Sequence, residues 1–503
     1  MTTSPAMEKL YSMVATSALY NGKRNDDYTG ECHEGTREKY LGDLTDWADN
    51  GPSKQRVQWV RAVAGAGKTA MLRTFCTKLK PKASITSASF FVWKNDPSRN
   101  NLDQFPATIA SQLCRSIPAL VSHVEMAIHN DPFLLKFTFE EQMEQLVIVP
   151  LLNIVDVVKE NRHIIIVIDG VDELDTKGQQ DLLKFIPLLL SKLSSLPISI
   201  LVSSRPEPQI VGAFNRSNLN SITFRITLEE SPADILHFIV AKFKEINDAF
   251  PYLAKRYGQW PNDNIIAIMC NMSSGFFIWP AVAMGYIAAT GQGMRHNERL
   301  ELVLSSSSVE PWKENIDKLY RAILMAHTPR NPAELDRFKR RLALLCLPVQ
   351  AGKFVHQPYK TIVDASNVLI HAVFEDTLDG VWDSMDDLAS LFSPRAPPSP
   401  NQSPLPALSH RSFRDFAFNR NRSGDDLYYR SEEELNAEVV CKFFEFFNSG
   451  RAYEVRSVVH SAMLLLTSSF QICQVCWLAS GRMVNIQSFW FCEIPPGCGY
   501  GHG

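Results

Sequence analysis

The sequence predicts an α/β domain built on a doubly wound parallel sheet, followed by a helical region. Aliphatic runs at 164–168 and 198–202 lack polar alternation, which is typical of strands buried on both faces. Segments with helical periodicity separate these runs, as crossover helices separate parallel strands. A glycine-bearing turn follows the first core strand, where doubly wound sheets bind their ligands.

Composition and charge limit the class of protein. The chain has 503 residues, enough for about two to four domains, and its 45% apolar content is ordinary for a globular protein. A net charge of −3 gives no electrostatic reason to expect a nucleic-acid partner. The ten cysteines form no disulfide-framework pattern, and no segment has the form of a signal peptide or a membrane span. We therefore expect a soluble, cytoplasmic protein without a membrane partner.

The first 56 residues are expected to support the sheet domain. Residues 1–31 form a short polar lead with one helical patch, and 32–56 form a linker helix. In that helix Tyr40, Leu41 and Leu44 fall at helical spacing. The pair Cys32-His33 is a possible metal ligand pair, but no second pair stands nearby at ligand spacing. A packed amphipathic helix is the better interpretation.

The segment 57–70 has the strand–turn–helix pattern of a P-loop. An apolar strand at 57–60 leads into a turn, and Gly67, Lys68 and Thr69 open a helix. In this pattern backbone N–H groups surround phosphates, the lysine reaches the terminal phosphates and the hydroxyl helps to hold Mg²⁺. The predicted nucleotide-binding residues of the loop are Ala64, Gly65, Ala66, Gly67, Lys68, Thr69 and Ala70.

One position departs from the strict P-loop pattern. The first glycine is replaced by Ala62, which stands at the end of the strand and not beneath the phosphates. The alternative is a chance Gly-Lys-Thr in a loop. The order of strand, turn and helix favours the P-loop.

Residues 57–230 are predicted to form one nucleotide-binding domain. The strands and helices alternate, and the site needs an acidic residue from a neighbouring strand to complete a magnesium site. The predicted strands are 57–60, 86–93, 163–169, 198–202 and 221–228, and the predicted helices include 105–113, 146–158 and 180–193.

Three acidic residues follow the most apolar strand. Asp169 ends that strand and is the predicted second magnesium ligand, beside Thr69. Asp172 and Glu173 extend the cluster, and one of them is a candidate to orient or polarise an attacking water. The alternative is a solvated acidic turn, which the upstream P-loop makes less favourable.

Two further side chains are candidates for contact with the nucleotide. Arg205 follows the next core strand, where a guanidinium can reach the γ-phosphate side of the pocket. The alternative is a surface arginine fixed by Pro206. His410 precedes a Phe-x-x-Phe helix, and by chemistry alone such a histidine is more often a core or capping residue.

The second half of the chain loses the strand pattern. Residues 231–299 are predicted to be a helical domain, and helical periodicity continues to about 385. The stretch 393–407 is rich in proline and serine and is expected to be an exposed loop. The structure of the tail, 451–503, is not predicted, and its cysteines have the wrong spacing for a ribbon-type zinc site.

These motifs together resemble a known family. Ala64 to Thr69, the stretch 168–175 and the Ser-Ser-Arg-Pro-Glu-Pro at 203–208 resemble the NACHT class of signal-transducing P-loop ATPases. Within that class the likeness is to fungal proteins with a nephrocystin-type nucleotide-binding domain. The resemblance extends over roughly 32–450, because the intervening segments also agree.

The resemblance implies a nucleotide-dependent switch. It implies a winged-helix-like domain, here 300–450, that clamps ADP in the inactive state, and exchange for ATP that drives self-assembly or binding of unidentified protein partners. The cofactors are then ATP or ADP with Mg²⁺, although spacing alone does not separate ATP from GTP. In that scheme His410 matches the winged-helix histidine that contacts the diphosphate. The chain is then at most a slow ATPase.

Other functions stay open at this point. No repeat of a sensor array follows residue 450, and the N-terminal region is too short for the usual effector domain. A non-enzymatic interaction scaffold that retains the NACHT fold is therefore the alternative. A metabolic kinase or a transporter ATPase is disfavoured, because nothing resembles an acceptor-substrate pocket or a transporter signature.

Overall fold

The structure is a computed structural model. The described residues are 4–22, 30–94, 96–159, 163–290, 294–306, 312–346, 353–356, 361–364, 381–382, 385, 388, 390–392, 408, 410–424, 431, 433–435, 438 and 442. The proline-rich loop 393–407 and the tail 451–503 therefore lie outside the described residues. Predictions about them stay predictions.

A five-stranded parallel sheet organises the first part of the chain. Its order is β2-β3-β4-β1-β5, and every neighbouring pair is parallel. The strands are β1 (Val57–Arg61), β2 (Ile85–Phe91), β3 (His163–Asp169), β4 (Ile198–Ser204) and β5 (Thr223–Thr227). This order corrects one expectation, because β3 is not adjacent to β1. β4 lies between β1, which leads into the phosphate loop, and β3, which ends at Asp169.

Helices connect the strands and continue beyond them. Up to β5 they are α1 (Pro5–Ser12), α2 (Glu38–Asp49), α3 (Lys68–Leu79), α4 (Phe105–Ser116), α5 (Val121–Asn130), α6 (Phe139–Met143), α7 (Val149–Asn153), α8 (Val155–Lys159), α9 (Thr176–Lys192), α10 (Pro208–Phe214) and α11 (Ser217–Asn220). After β5 they are α12 (Pro232–Ala249), α13 (Tyr252–Tyr257), α14 (Asp263–Met272), α15 (Ile278–Ala288), α16 (His296–Ser306), α17 (Trp312–His327), α18 (Pro332–Cys346), α19 (Arg411–Ala417) and α20 (Arg420–Ser423).

The sheet is covered on both faces, which is why its central strands are uniformly apolar. Along β3, Ile164, Ile166 and Ile168 join one core cluster, while Ile165 and Val167 join another. Residues of α4, α5 and α9 line the first cluster, and residues of α2 and α3 line the second. Alternate side chains of a strand point to opposite faces, so β3 needs apolar residues at every position. The predicted doubly wound α/β fold is confirmed.

The N-terminal lead is more than a polar extension. Leu10 and Ala18 are fully buried in the sheet's first core cluster. Ala15 N–H donates to Thr108 Oγ1 at 2.9 Å, and Tyr20 N–H donates to Ser89 Oγ of the edge strand β2 at 3.0 Å. The segment 4–22 is therefore an integral part of the sheet domain.

Two predicted helical stretches are interrupted. The helix expected over 146–158 is a π-helix at Glu144–Ile148 followed by α7 and α8, with a break at Ile154. Pro150 occupies the first turn of α7, where its missing N–H is tolerated. In the described part of 300–385, β6 (Lys353–His356) pairs antiparallel with β7 (Thr361–Asp364), so the expectation of continuous helix there is wrong. Three of the four residues of β7 are strand-favouring β-branched residues.

The chain divides into two compact units. The first comprises 1–350 and 381–429, and the second comprises 351–380 and 430–503 and contains the β6–β7 hairpin. The winged-helix-like architecture expected for 300–450 stays a prediction. Among the helices that the structure describes, none has both the length and the apolar character needed to cross a membrane.

Candidate functional site

The phosphate loop connects β1 to α3 at the carboxyl edge of the sheet. Gly65 and Gly67 have φ of 77° and 85°, a left-handed conformation that favours glycine. A Cβ on Gly65 would lie 2.5 Å from Ile278 Cβ, so α15 packs directly against the loop. The first intrahelical bond of α3 runs from Met71 N–H to Gly67 O, at 3.0 Å.

The start of α3 provides donors for an anion. Because the helix begins at Lys68, the N–H groups of Lys68, Thr69 and Ala70 have no intrahelical acceptor. They lie at the positive end of the helix dipole. With the turn residues Ala64 to Gly67, this is the strand–turn–helix geometry that phosphate binding requires.

The Lys68 side chain folds back onto the start of the phosphate loop. Its Nζ donates to Ala62 O at 3.0 Å and to Val63 O at 3.1 Å. Burial lowers the pKa of Lys68, and the charges of Asp172 and Asp169 oppose that shift. A cation whose charge is disfavoured by burial gains from a nearby phosphate, so Lys68 is suited to bind one.

Thr69 and Asp169 come together as predicted. Thr69 Oγ1 donates to Asp169 Oδ2 at 2.7 Å, and Ser203 of the inserted strand β4 donates to Asp169 Oδ1. Ser203 Oγ also accepts from Gly170 N–H at 3.0 Å. Burial raises the pKa of Asp169, and the bonds from Ser203 and Thr69 oppose the shift.

The pair Thr69–Asp169 fits a magnesium ion. A hydroxyl and a carboxylate oxygen are hard donors, and both stand beside the N-terminus of α3, where phosphate oxygens would complete the coordination. A bound Mg²⁺ would offset the negative charge of the phosphates. Asp169 is the raised-pKa carboxylate, so binding of the cation would favour its ionised form.

Asp172 fixes Arg205. Asp172 Oδ1 accepts from the Arg205 N–H at 3.0 Å, and its Oδ2 lies 3.3 Å from Arg205 Nε. The Asp172 side chain is only 3% exposed. Glu173 Oε2 accepts instead from Lys94 N–H at 3.1 Å. Asp172 therefore positions an arginine, and the water-orienting role expected of one of these acids stays a prediction.

His410 caps a helix. Ser412 N–H donates to His410 Nδ1 at 3.0 Å, so a neutral ring carries its proton on Nε2. Ser412 Oγ lies 2.7 Å from the same nitrogen and 2.6 Å from Tyr320 Oη. The predicted contact of His410 with a diphosphate stays a prediction.

Sequence reasoning missed Asp415, which the structure brings to the site. Asp415 Oδ2 lies 3.5 Å from Arg205 Nη1. The residue belongs to α19, in the His-x-Ser-Phe-x-Asp-Phe pattern that begins at His410, the histidine that the resemblance singled out. That pattern was the available signal, but it drew attention to the histidine and not to the aspartate.

Arg37 was also missed. Its side chain donates to Ala66 O of the phosphate loop at 3.1 Å, to Glu229 O at 2.9 Å and to Ser231 Oγ at 2.7 Å. Arg37 is 3% exposed, and burial lowers its pKa. The arginine thus ties the phosphate loop to the segment that leads into α12. Only its place just before α2 pointed to it in the sequence.

Comparison with known families gives one match. The model of the family described as "Nephrocystin 3, N-terminal" matches residues 35–205, from the approach to α2 to the residue after β4. This stretch contains Lys68, Asp169 and Arg205, and it leaves the helices after β5 outside. No curated protein matches the chain.

Comparison with solved structures gives distant likenesses. The Walker-type ATPase PABY2304 of Pyrococcus abyssi is 13% identical with a TM-score of 0.38, covering 77% of this chain and 97% of its own. Cdc6p from Pyrobaculum aerophilum is also 13% identical, with a TM-score of 0.34 and coverage of 84% and 98%. At such values these likenesses carry no argument about ligands or partners. The P-loop NTPase fold is read from the sheet, the loop and the family match.

Proposed function

We propose that this chain is a nucleotide-dependent switch that binds ATP and ADP with Mg²⁺ and couples the bound nucleotide to self-assembly or partner binding. The observation that carries the proposal is the convergence of Lys68, the Thr69–Asp169 pair and Arg205 at one edge of the sheet. These are a phosphate-binding cation, a magnesium pair and a second cation beyond it. The match to the nephrocystin-type family supports the same assignment.

The switch part of the proposal rests on the NACHT resemblance and on α19. In the resembling proteins a C-terminal domain contacts the nucleotide site, and here α19 reaches Arg205 through Asp415. Hydrolysis in this proposal is slow, because Asp172 is engaged by Arg205. If Glu173 assists hydrolysis, Glu173→Ala will prolong the ATP-bound state and increase assembly in the presence of ATP, as light scattering measures.

Extraction of nucleotide from the purified protein tests the proposal. Denaturation followed by chromatography is expected to release ADP or ATP from the wild-type chain and none from Lys68→Ala. Lys78→Ala is the matched control, because Lys78 lies on the same helix and forms a surface ion pair with Glu38 at 3.7 Å. An empty wild-type pocket, with partner binding unchanged in a Lys68→Ala/Asp169→Ala variant, would favour the scaffold instead.

A further inference from the structure

Arg205 lies between two carboxylates from distant parts of the chain. Asp172 follows β3, and Asp415 lies on α19, more than two hundred residues later. We propose that Asp415 is the residue through which the C-terminal helices sense the nucleotide: it holds Arg205 until the γ-phosphate of ATP replaces it. This inference rests on the proposed function and adds the device that distinguishes ATP from ADP.

The two carboxylates hold different parts of the arginine. Asp172 accepts a hydrogen bond from the Arg205 backbone N–H and pairs with Arg205 Nε, so it fixes the part of the arginine nearest the backbone. Asp415 forms an ion pair with Arg205 Nη1, at the outer end of the guanidinium. A guanidinium presents its donors along separate edges, so the outer end can change partner while the base stays in place.

The position of β4 places Arg205 beside the phosphate loop. Because β4 lies between β1 and β3, Arg205 emerges between the phosphate loop and the acidic turn. Arg61 at the end of β1 pairs with Ser204 at the end of β4, so the phosphate loop and Arg205 leave the sheet side by side. A γ-phosphate bound by Lys68 would therefore meet Arg205 next.

Burial decides which carboxylate leaves. The Asp172 side chain is 3% exposed, whereas that of Asp415 is 29% exposed. A buried carboxylate that loses its cation is strongly destabilised, but a partly exposed one is readily solvated. Added phosphate charge would repel both groups, and only Asp415 has access to water. ATP is therefore expected to displace Asp415 and to leave the Asp172–Arg205 pair intact.

Release of Asp415 from Arg205 would remove an ion pair between α19 and the sheet edge. α19 is anchored on α17 through the Ser412–Tyr320 hydroxyl pair at 2.6 Å and through the Phe413 and Phe416 rings, 5.1 and 5.3 Å from the Tyr320 ring. Arg414 Nε donates to Cys346 O of α18 at 3.1 Å. The contact between Asp415 and Arg205 is thus a polar link from this helical group to the sheet edge.

Nucleotide affinities of Asp415→Asn in the full chain test the inference. The affinities of Mg²⁺-ADP and of Mg²⁺-adenylyl imidodiphosphate, a non-hydrolysable ATP analogue, are measured by calorimetry. Loss of the competing carboxylate is expected to raise the ratio of triphosphate to diphosphate affinity about fivefold, with ADP affinity within about twofold of wild type. Asp336→Asn is the control, because this exposed aspartate lies on α18 at 3.9 Å from Arg340 and should leave the ratio unchanged.

Two further variants separate sensing from general damage. In an Arg205→Gln background, Asp415 has no guanidinium to hold. Adding Asp415→Asn to Arg205→Gln should therefore leave the ratio of triphosphate to diphosphate affinity unchanged. Asp415→Ser should reproduce Asp415→Asn if the carboxylate alone matters. An unchanged ratio in both Asp415 variants, with tight Lys68-dependent ADP binding retained, would overturn this inference and leave the proposed function standing. Absence of any nucleotide binding by the wild-type chain would overturn both.

Discussion

Two arginine–aspartate pairs at the sheet domain differ in how they are built. After β2, Arg99 Nε donates to Asp96 Oδ2 at 2.8 Å, and the Arg99 side chain is 2% exposed. Ser17 of the N-terminal segment contacts both members of this pair: its hydroxyl donates to Asp96 Oδ2, and its backbone carbonyl accepts from Arg99 Nη1. After β4, Arg205 is 23% exposed and takes its carboxylates from two distant segments.

The two pairs differ in how far water can reach them, and this difference suggests different roles. Asp96 and Arg99 are three residues apart, and water has little access to either side chain. Arg205 is itself partly exposed, and so is Asp415, one of its two carboxylate partners. We infer that the first pair maintains the fold and that the second pair is exchangeable. The following predictions test this contrast.

The largest loss of stability is expected when the Asp96–Arg99 pair is broken. Asp96→Ala removes the carboxylate from a buried guanidinium, and the free energy of unfolding should fall by about 3–5 kcal/mol. Chemical denaturation followed by tryptophan fluorescence measures this, since Arg99 lies 4.8 Å over the Trp93 ring. Asp336→Ala, at an exposed pair, should cost no more than about 1 kcal/mol. Equal losses in the two variants would contradict the contrast.

Substitution of Asp169 is expected to change the free energy of unfolding by an intermediate amount and to increase it. Its folded-state pKa is raised by burial, so its contribution to stability is present at acid pH and is lost as pH rises through that pKa. Asp169→Asn should therefore match wild type below the ordinary pKa of 3.8 and become more stable than wild type, by about 0.5–2 kcal/mol, as pH rises.

The measurement for Asp169→Asn is the unfolding free energy against pH, without nucleotide or Mg²⁺. The variant should also lose Mg²⁺-dependent nucleotide binding, because a neutral amide is a poorer magnesium ligand. A variant that is less stable than wild type across the whole pH range would show that the Thr69 and Ser203 bonds outweigh the cost of burying the charge.

The smallest effect on stability is expected at Asp415. Asp415→Asn removes a partly exposed ion pair, and the free energy of unfolding should change by less than about 1 kcal/mol. The same denaturation experiment measures it. A loss close to that of Asp96→Ala would mean that Asp415 is a structural residue, and the proposed exchange would then have no separate basis.

The parts of the site predicted from sequence are those fixed by neighbouring residues. The P-loop glycines, Lys68 and Thr69 are consecutive, and Asp169 ends an unmistakably buried strand. Strand order was not accessible, because placing β4 between β1 and β3 depends on tertiary packing. The role of Asp415 was missed for the same reason, since its partner lies on another element.

Local patterns also failed where packing overrides them. The lead 1–31 was expected to be a polar extension, yet Leu10 and Ala18 are fully buried. The helical periodicity of 146–158 continues through the break at Ile154, which the periodicity does not reveal. Around β6 and β7 the apolar residues fit either period, and short segments of this kind do not distinguish strand from helix.

Equilibrium titration with Mg²⁺-ADP and Mg²⁺-ATP tests the central claim, that the edge of the sheet binds nucleotide through Lys68. The wild-type chain and Lys78→Ala are expected to bind both nucleotides at micromolar concentrations or below. Lys68→Ala is expected to bind about 100-fold more weakly, because it loses a charge-assisted contact of about 3 kcal/mol. Equal binding by Lys68→Ala and wild type, or no binding by either, would contradict the claim.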